Sequence, residues 1–322
     1  MTALPTLAES SRKIAEGALD PRDLTETMLG RIADLNEDLG AFILSTDTVA
    51  RAEADASTSR IKAGQSRGPL DGIPFAYKDI YETAGIRTTG HSRLMEHHIP
   101  DADAHSVAAL RGAGTVCLGK LATHEFACGG PSHDLPWPVA RNPWNLAHFT
   151  GGSSTGSGAA LAAGLTLGAT GSDTGGRIRL PAAFSGVVGL KPTYGRISRR
   201  GVLPLSYALD HAGPMAWTSE DCALLLQVMA GHDPLDPGSA DVPVPDYSAQ
   251  LGQDLSGLRI GVIRHFWEDA NASDETVAAM EAALKVYETL GATLVDITVS
   301  PLQDYTAACG LLILADLAAV HE

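Results

Sequence analysis

The sequence predicts an α/β protein. Stretches with the apolar period of a helix alternate along the chain with short β-prone runs. A glycine-rich middle segment is broken up by core-forming residues: 13 of the 34 glycines fall between Gly151 and Gly201, yet Phe184, Val187, Val188 and Leu190 lie among them. Such a segment forms tight turns and close backbone approaches rather than a flexible linker. The chain shows no internal repeat and no low-complexity tract.

The elements follow in order. Residues 7–39 carry helical periodicity through Ile14, Leu24, Met28, Ile32 and Leu35, and Pro21 suits the start of a second helix. A further helix, rich in Ala, Arg and Glu, is expected over 49–62. The turn-forming run 69–74 leads into a strand at 75–78. A helix at 104–112 and a strand at 115–118 come next, then a helix at 157–165, a strand at 167–170 and a helix at 220–229. The Pro/Asp/Gly-rich connection 234–245 marks a boundary between subregions. Beyond it lie a strand at 258–263, a helix at 275–290 closed by Gly291, a strand at 293–299 and an apolar, helix-like run at 311–320.

Composition excludes several classes. The net charge of −15, with Arg196, Arg199 and Arg200 as the only tight basic cluster, leaves no basic stripe for a nucleic acid or an anionic membrane. Cys117, Cys128, Cys222 and Cys309 show no metal-binding or redox spacing and are expected as buried thiols in a reducing cytoplasm. The first 17 residues lack the basic start and apolar stretch of a signal peptide. No apolar run approaches 18 residues; the longest, 158–170, reads as buried, so no membrane association is expected. His97, His98, Asp101, Asp103 and His105 cluster around Pro100 without a strict ligand spacing, which reads as a solvated loop rather than a metal site.

Two motifs are matched only superficially. Gly151 to Gly156 has the glycine spacing of a phosphate-binding loop, but Ser157 stands where lysine is required. Gly152-Ser153-Ser154-Thr155-Gly156 fits a nucleophile elbow, but no clear hydrophobic strand precedes it.

The order of the remaining pieces is specific. Asp71-Gly72-Ile73-Pro74 with Lys78-Asp79 is followed by Gly119-Lys120 with Glu125-Phe126, then by Arg141-Asn142-Pro143-Trp144-Asn145. Next come Gly151-Gly152-Ser153-Ser154, the run Gly171-Ser172-Asp173-Thr174-Gly175-Gly176-Arg177-Ile178-Arg179, and Gly189-Leu190-Lys191-Pro192-Thr193-Tyr194-Gly195-Arg196. From about Leu70 to Gly231 the chain resembles the amidase signature family of Ser-Ser-Lys amide hydrolases.

The resemblance implies a mixed β-sheet covered by helices on both faces, in one domain over 1–322. That domain comprises an N-terminal helical region (1–65), the signature core (66–233) and a second α/β subregion (234–322) that is incomplete at its C-terminus, since family members continue past the equivalent of Glu322. It implies Lys78 as the neutral base, Ser153 after a cis peptide bond as the bridging serine, and Ser154 and Asp173 as support. Backbone N–H groups of Thr174, Gly175 and Gly176 would form the oxyanion hole. The family's nucleophilic serine falls on Arg177, whose guanidinium stays protonated and cannot attack a carbonyl. Thr155, where the family commonly has glycine, is a lesser departure. Asp79 beside Lys78 opposes a neutral base unless its side chain points away.

The implied function is hydrolysis of a small-molecule carboxamide, impaired as written, with no cofactor and no metal. Two alternatives stay open: a glutaminase-type amidotransferase component serving a tRNA-handling partner, and a non-catalytic relative whose Arg177 holds a carboxylate. No direct nucleic-acid contact is expected, and a homodimer remains open.

Overall fold

The computed structural model describes residues 4–322; Met1, Thr2 and Ala3, the start of the expected N-terminal helical region, lie outside them. By contacts the chain forms two compact units, one ending at Ser248 just past the proline-rich connection and including Val320–Glu322, the other Ala249–Ala319.

The first unit begins with helices α1 (Leu7–Ala15) and α2 (Pro21–Leu39). Thr6 and Glu9 close a reciprocal cap on α1, and Asp20 accepts the Arg22 N–H just ahead of α2, with Pro21 in the first turn. Leu24, Met28 and Ile32 are buried as the periodicity demands, whereas Leu35 is 36% exposed at the edge of that face. The unit continues with β1 (Phe42–Ser45), α3 (Asp47–Lys62), β2 (Pro74–Lys78), α4 (His105–Gly112), β3 (Val116–Leu121), β4 (Arg141–Asn142), β5 (Asn145–Phe149) and α5 (Thr155–Ala162). It ends with β6 (Gly168–Asp173), α6 (Arg179–Ser185), β7 (Val188–Gly189), β8 (His211–Ala216) and α7 (Ser219–Met229).

Six strands form one mixed sheet in the order β1-β3-β2-β6-β8-β7. The central strands β3, β2 and β6 run parallel, while β1, β8 and β7 pair antiparallel with their neighbours. Helices flank the sheet on both faces. Strands β2, β3 and β6 are buried along their whole length, as parallel strands between helix layers must be.

Strands β4 and β5 form a separate antiparallel pair. A strand therefore does precede Gly151, contrary to the sequence expectation, but it is an exposed hairpin arm and not the buried central strand a nucleophile elbow needs.

The second unit holds β9 (Arg259–Val262), α8 (His265–Asp269), α9 (Asp274–Thr289), β10 (Thr293–Asp296) and all but the last two residues of α10 (Leu302–His321), with β9 and β10 parallel. The last helix corrects the sequence reading. It has 20 residues rather than the expected ten-residue run and is long and apolar enough to cross a membrane by length and composition. Gln303, Asp304 and Thr306 near its start and Asp316 within it interrupt a strict apolar count, but the average over the helix tolerates them.

Candidate active site

Lys78 ends β2 in the middle of the sheet, between β3 and β6. Its backbone N–H donates to Thr170 Oγ1 on β6 at 2.8 Å. Its side chain is fully buried, and Nζ lies 2.8 Å from Ser153 Oγ, 3.1 Å from Ser154 Oγ and 2.8 Å from Ser172 Oγ. A neutral amine can donate to two of these hydroxyls and accept from the third, so the site satisfies Lys78 without a charge.

Two effects favour that neutral form. Burial disfavours the ammonium most, and the positive charge of Arg177 adds to it; Asp210 and Asp173 pull the other way and are outweighed. Lys78 is therefore held well below the usual lysine range. Asp79 does not oppose this. Its carboxylate accepts from the Thr89 N–H at 2.9 Å and from the Thr89 hydroxyl, and it lies 3.9 Å from Lys120 Nζ.

The loop carrying Ser153 and Ser154 is shaped by close approach. The Gly152–Ser153 peptide is cis. A side chain on Gly152 would collide with the His124 ring, and one on Gly156 with the backbone of Ala41 and Ala122. The His124 imidazole is lowered to about 4, chiefly by burial, so it is neutral at ordinary pH.

Asp173 organises the other wall. Its buried carboxylate accepts from the Gly176 N–H at 2.6 Å, from the Ile178 N–H at 3.2 Å and from the Arg179 guanidinium at 2.9 and 3.0 Å. Burial alone would raise this acid, but the Arg179 and amide hydrogen bonds prevail and hold it at about 2. The Thr174 hydroxyl donates to Asp210 at 2.5 Å. The Gly176 N–H, one of the groups the resemblance places in an oxyanion hole, donates to Asp173; the Thr174, Gly175 and Arg177 N–H groups make no hydrogen bond among the described residues.

Arg177 is half-buried at the junction of these segments. Its carbonyl accepts from the Ser154 N–H at 3.4 Å, while its guanidinium makes no hydrogen bond or ion pair among the described residues. The geometry thus brings together Lys78, Ser153, Ser154 and the backbone of Arg177, with Asp173 and Thr174 bracing the 174–178 turn.

Sequence analysis gave Ser172 no role. The signal was available: Thr170 and Ser172 stand two apart on β6 and so share a face, and both meet Lys78. His124 carried no such signal, because its place beside Gly152 is set by tertiary packing. A cavity of about 320 Å³ opens onto the site, with Ile80, Ser172, Leu203, Leu205, Tyr207 and Asp210 on its wall.

A family model described as Amidase matches residues 23–321. The A subunit of glutamyl-tRNA(Gln) amidotransferase from Pseudomonas savastanoi pv. phaseolicola is 47% identical over 298 residues, covering 92% of this chain and 61% of that protein. The same-named protein of Methylococcus capsulatus is 47% identical, covering 91% and 60%. Among solved structures, native peptide amidase from Stenotrophomonas maltophilia superposes with a TM-score of 0.89 at 36% identity, covering 98% of this chain and 66% of that one. This chain spans about three fifths of the length of the curated relatives it matches. With the model match running through nearly all of the chain, the protein belongs to the amidase family.

Proposed function

We propose that this chain carries the amide-hydrolysing apparatus of its family with the acyl-carrying position altered, so that hydrolysis is impaired as written. The observation that carries this reading is the buried Lys78 Nζ lying 2.8 Å from Ser153 Oγ. Lys78 is the proton acceptor, Ser153 the relay, and Ser154 fixes the amine's orientation. The substrate is a small-molecule carboxamide, cleaved to a carboxylate and ammonia or an amine. The reaction needs a hydroxyl at 177 that passes its proton through Ser153 to Lys78 and attacks the carbonyl, with the Thr174, Gly175 and residue-177 N–H groups receiving the developing oxyanion. Arginine supplies no such hydroxyl. A cytoplasmic setting fits the four free thiols.

Two further readings each rest on one observation. The similarity to proteins named as the A component of glutamyl-tRNA(Gln) amidotransferase favours glutamine as the amide, with partner proteins receiving the ammonia. The unengaged guanidinium of Arg177 favours a carboxylate-binding relative. The test is amide hydrolysis by the parent chain and by Arg177→Ser, with glutamine and a panel of simple carboxamides. Recovery in the variant supports the main reading, glutaminase activity that appears only with added partner proteins supports the second, and carboxylate binding without turnover in either protein supports the third.

A further inference from the structure

The cavity beside the site reaches Lys78 through a different hydroxyl from the one the family chemistry uses. Its wall includes Ser172 but neither Ser153, Ser154 nor Arg177. Ser153 and Ser154 are completely buried, whereas Ser172 keeps 5% of its surface. Ser172 Oγ lies 2.8 Å from Lys78 Nζ, the same separation as Ser153. An acyl group seated in the cavity therefore meets a lysine-bound hydroxyl without passing residue 177.

We propose that Ser172 is an acyl-accepting nucleophile for activated acyl donors that enter this cavity. The inference rests on the reading of Lys78 as proton acceptor and not on residue 177. In the step, Ser172 Oγ bonds to the acyl carbon, its proton passes to Lys78 Nζ, and the bond from the acyl carbon to the leaving oxygen breaks. The products are an acyl-Ser172 ester, a protonated Lys78 and the departing aryloxide. No oxidant, metal or further reactant is needed. Aryl esters fit, because a phenolate leaves without receiving a proton, whereas an amide requires one at its nitrogen. The cavity wall is mixed: Leu203 and Leu205 are apolar, Arg199, Arg200 and Asp236 are charged, and Asp210 is already engaged by the Thr174 hydroxyl and the Leu205 and Ser206 amides, so a small acyl group suits its volume of about 320 Å³.

Ser172 also has a structural role, since it anchors Lys78 and its own N–H donates to Ser154 Oγ. The experiment separates the two roles. The parent protein is mixed with p-nitrophenyl acetate, the phenolate burst is recorded, and the quenched protein is mapped by peptide mass spectrometry. The expected result is a burst with the acetyl group on Ser172, lost in Ser172→Ala and in Lys78→Met while circular dichroism reports an intact fold. Acetyl found on Ser153, Ser154 or Lys78, or a folded parent with no acetylated serine, overturns the proposal. Because the map is read on the parent chain, it needs no variant to fold. Position 177 is tested separately by amide hydrolysis in Arg177→Ser, so failure of the acyl-Ser172 map and failure of that reading are distinguishable.

Discussion

The Asp79 carboxylate, one residue from Lys78, lies 3.9 Å from the Nζ of Lys120 instead. Both partners are fully buried. Lys120 also donates to the Tyr81 carbonyl and to the Thr83 and Thr88 hydroxyls. Burial raises the Asp79 acid and lowers Lys120 to about 8, with each charge countering the other's shift. The two neighbouring lysines thus have separate environments: Lys120 faces the carboxylate, and Lys78 is left among hydroxyls.

Removing the cation should expose this pairing. Lys120→Met leaves Asp79 buried without a counter-charge and should lower the unfolding free energy by about 3–5 kcal/mol. Adding Asp79→Asn should recover part of that loss. Urea unfolding of the parent, both single variants and the double variant measures the coupling. Strictly additive losses would show that the two groups do not interact.

Arg177→Ser should convert the parent, expected to show no measurable amide turnover, into a hydrolase. Loss of the nucleophile from such a network typically costs about a million-fold in rate, so even partial recovery is readable. Ammonia release from carboxamides is the measurement. A folded Arg177→Ser protein with no turnover on any of them, glutamine with added partner proteins included, sinks the assignment of position 177 as the acyl carrier.

The same substitution should move Lys78. The Arg177 guanidinium disfavours a second positive charge, so its removal lets the Lys78 pKa rise while burial keeps it below the ordinary 10.5. Hydrolysis by Arg177→Ser should therefore increase with pH as Lys78 loses its proton. Nitrogen-15 NMR of the Lys78 amine should show the parent titrating at lower pH than the variant. Equal titration points would mean that Arg177 does not act on this lysine.

What the sequence disclosed follows from the range of each signal. Lys78 and Ser153 lie in short ordered motifs, and their contact could be expected before any fold was known. Strand β8 could not, because Gly213 and Pro214 at its centre give no β-prone pattern. It is a strand because it pairs with β6, Pro214 standing opposite Thr170. Helix α6 was hidden by Pro181, which is tolerated only because it falls in the first turn, where its missing N–H costs no helical bond. The resemblance places the Gly176 N–H in an oxyanion hole; its bond to Asp173 depends on the turn folding back over β6. Helix α10 was shortened because Gln303, Asp304, Thr306 and Gly310 break the apolar pattern of its first half.

Asp173→Asn should destabilise the protein in a pH-dependent way. The folded acid sits at about 2, below its ordinary 3.8. A depressed acid contributes stability that is fully present above its unfolded value and is lost as pH falls through the folded one. The contribution is about 2 kcal/mol at neutral pH, and it should be constant down to about pH 4 and then shrink towards about pH 2. Asparagine keeps the shape and an acceptor for the Gly176 N–H, so the loss reports the charge rather than a cavity. Arg179→Ala should cost less than Asp173→Asn, because the arginine side chain is 55% exposed while the carboxylate is buried and also holds the Gly176 and Ile178 amides. Urea midpoints at about pH 7, 4 and 3 for the parent and both variants give the test. If the gap between parent and Asp173→Asn does not narrow with acid, the carboxylate is not what holds the 174–178 turn over Lys78.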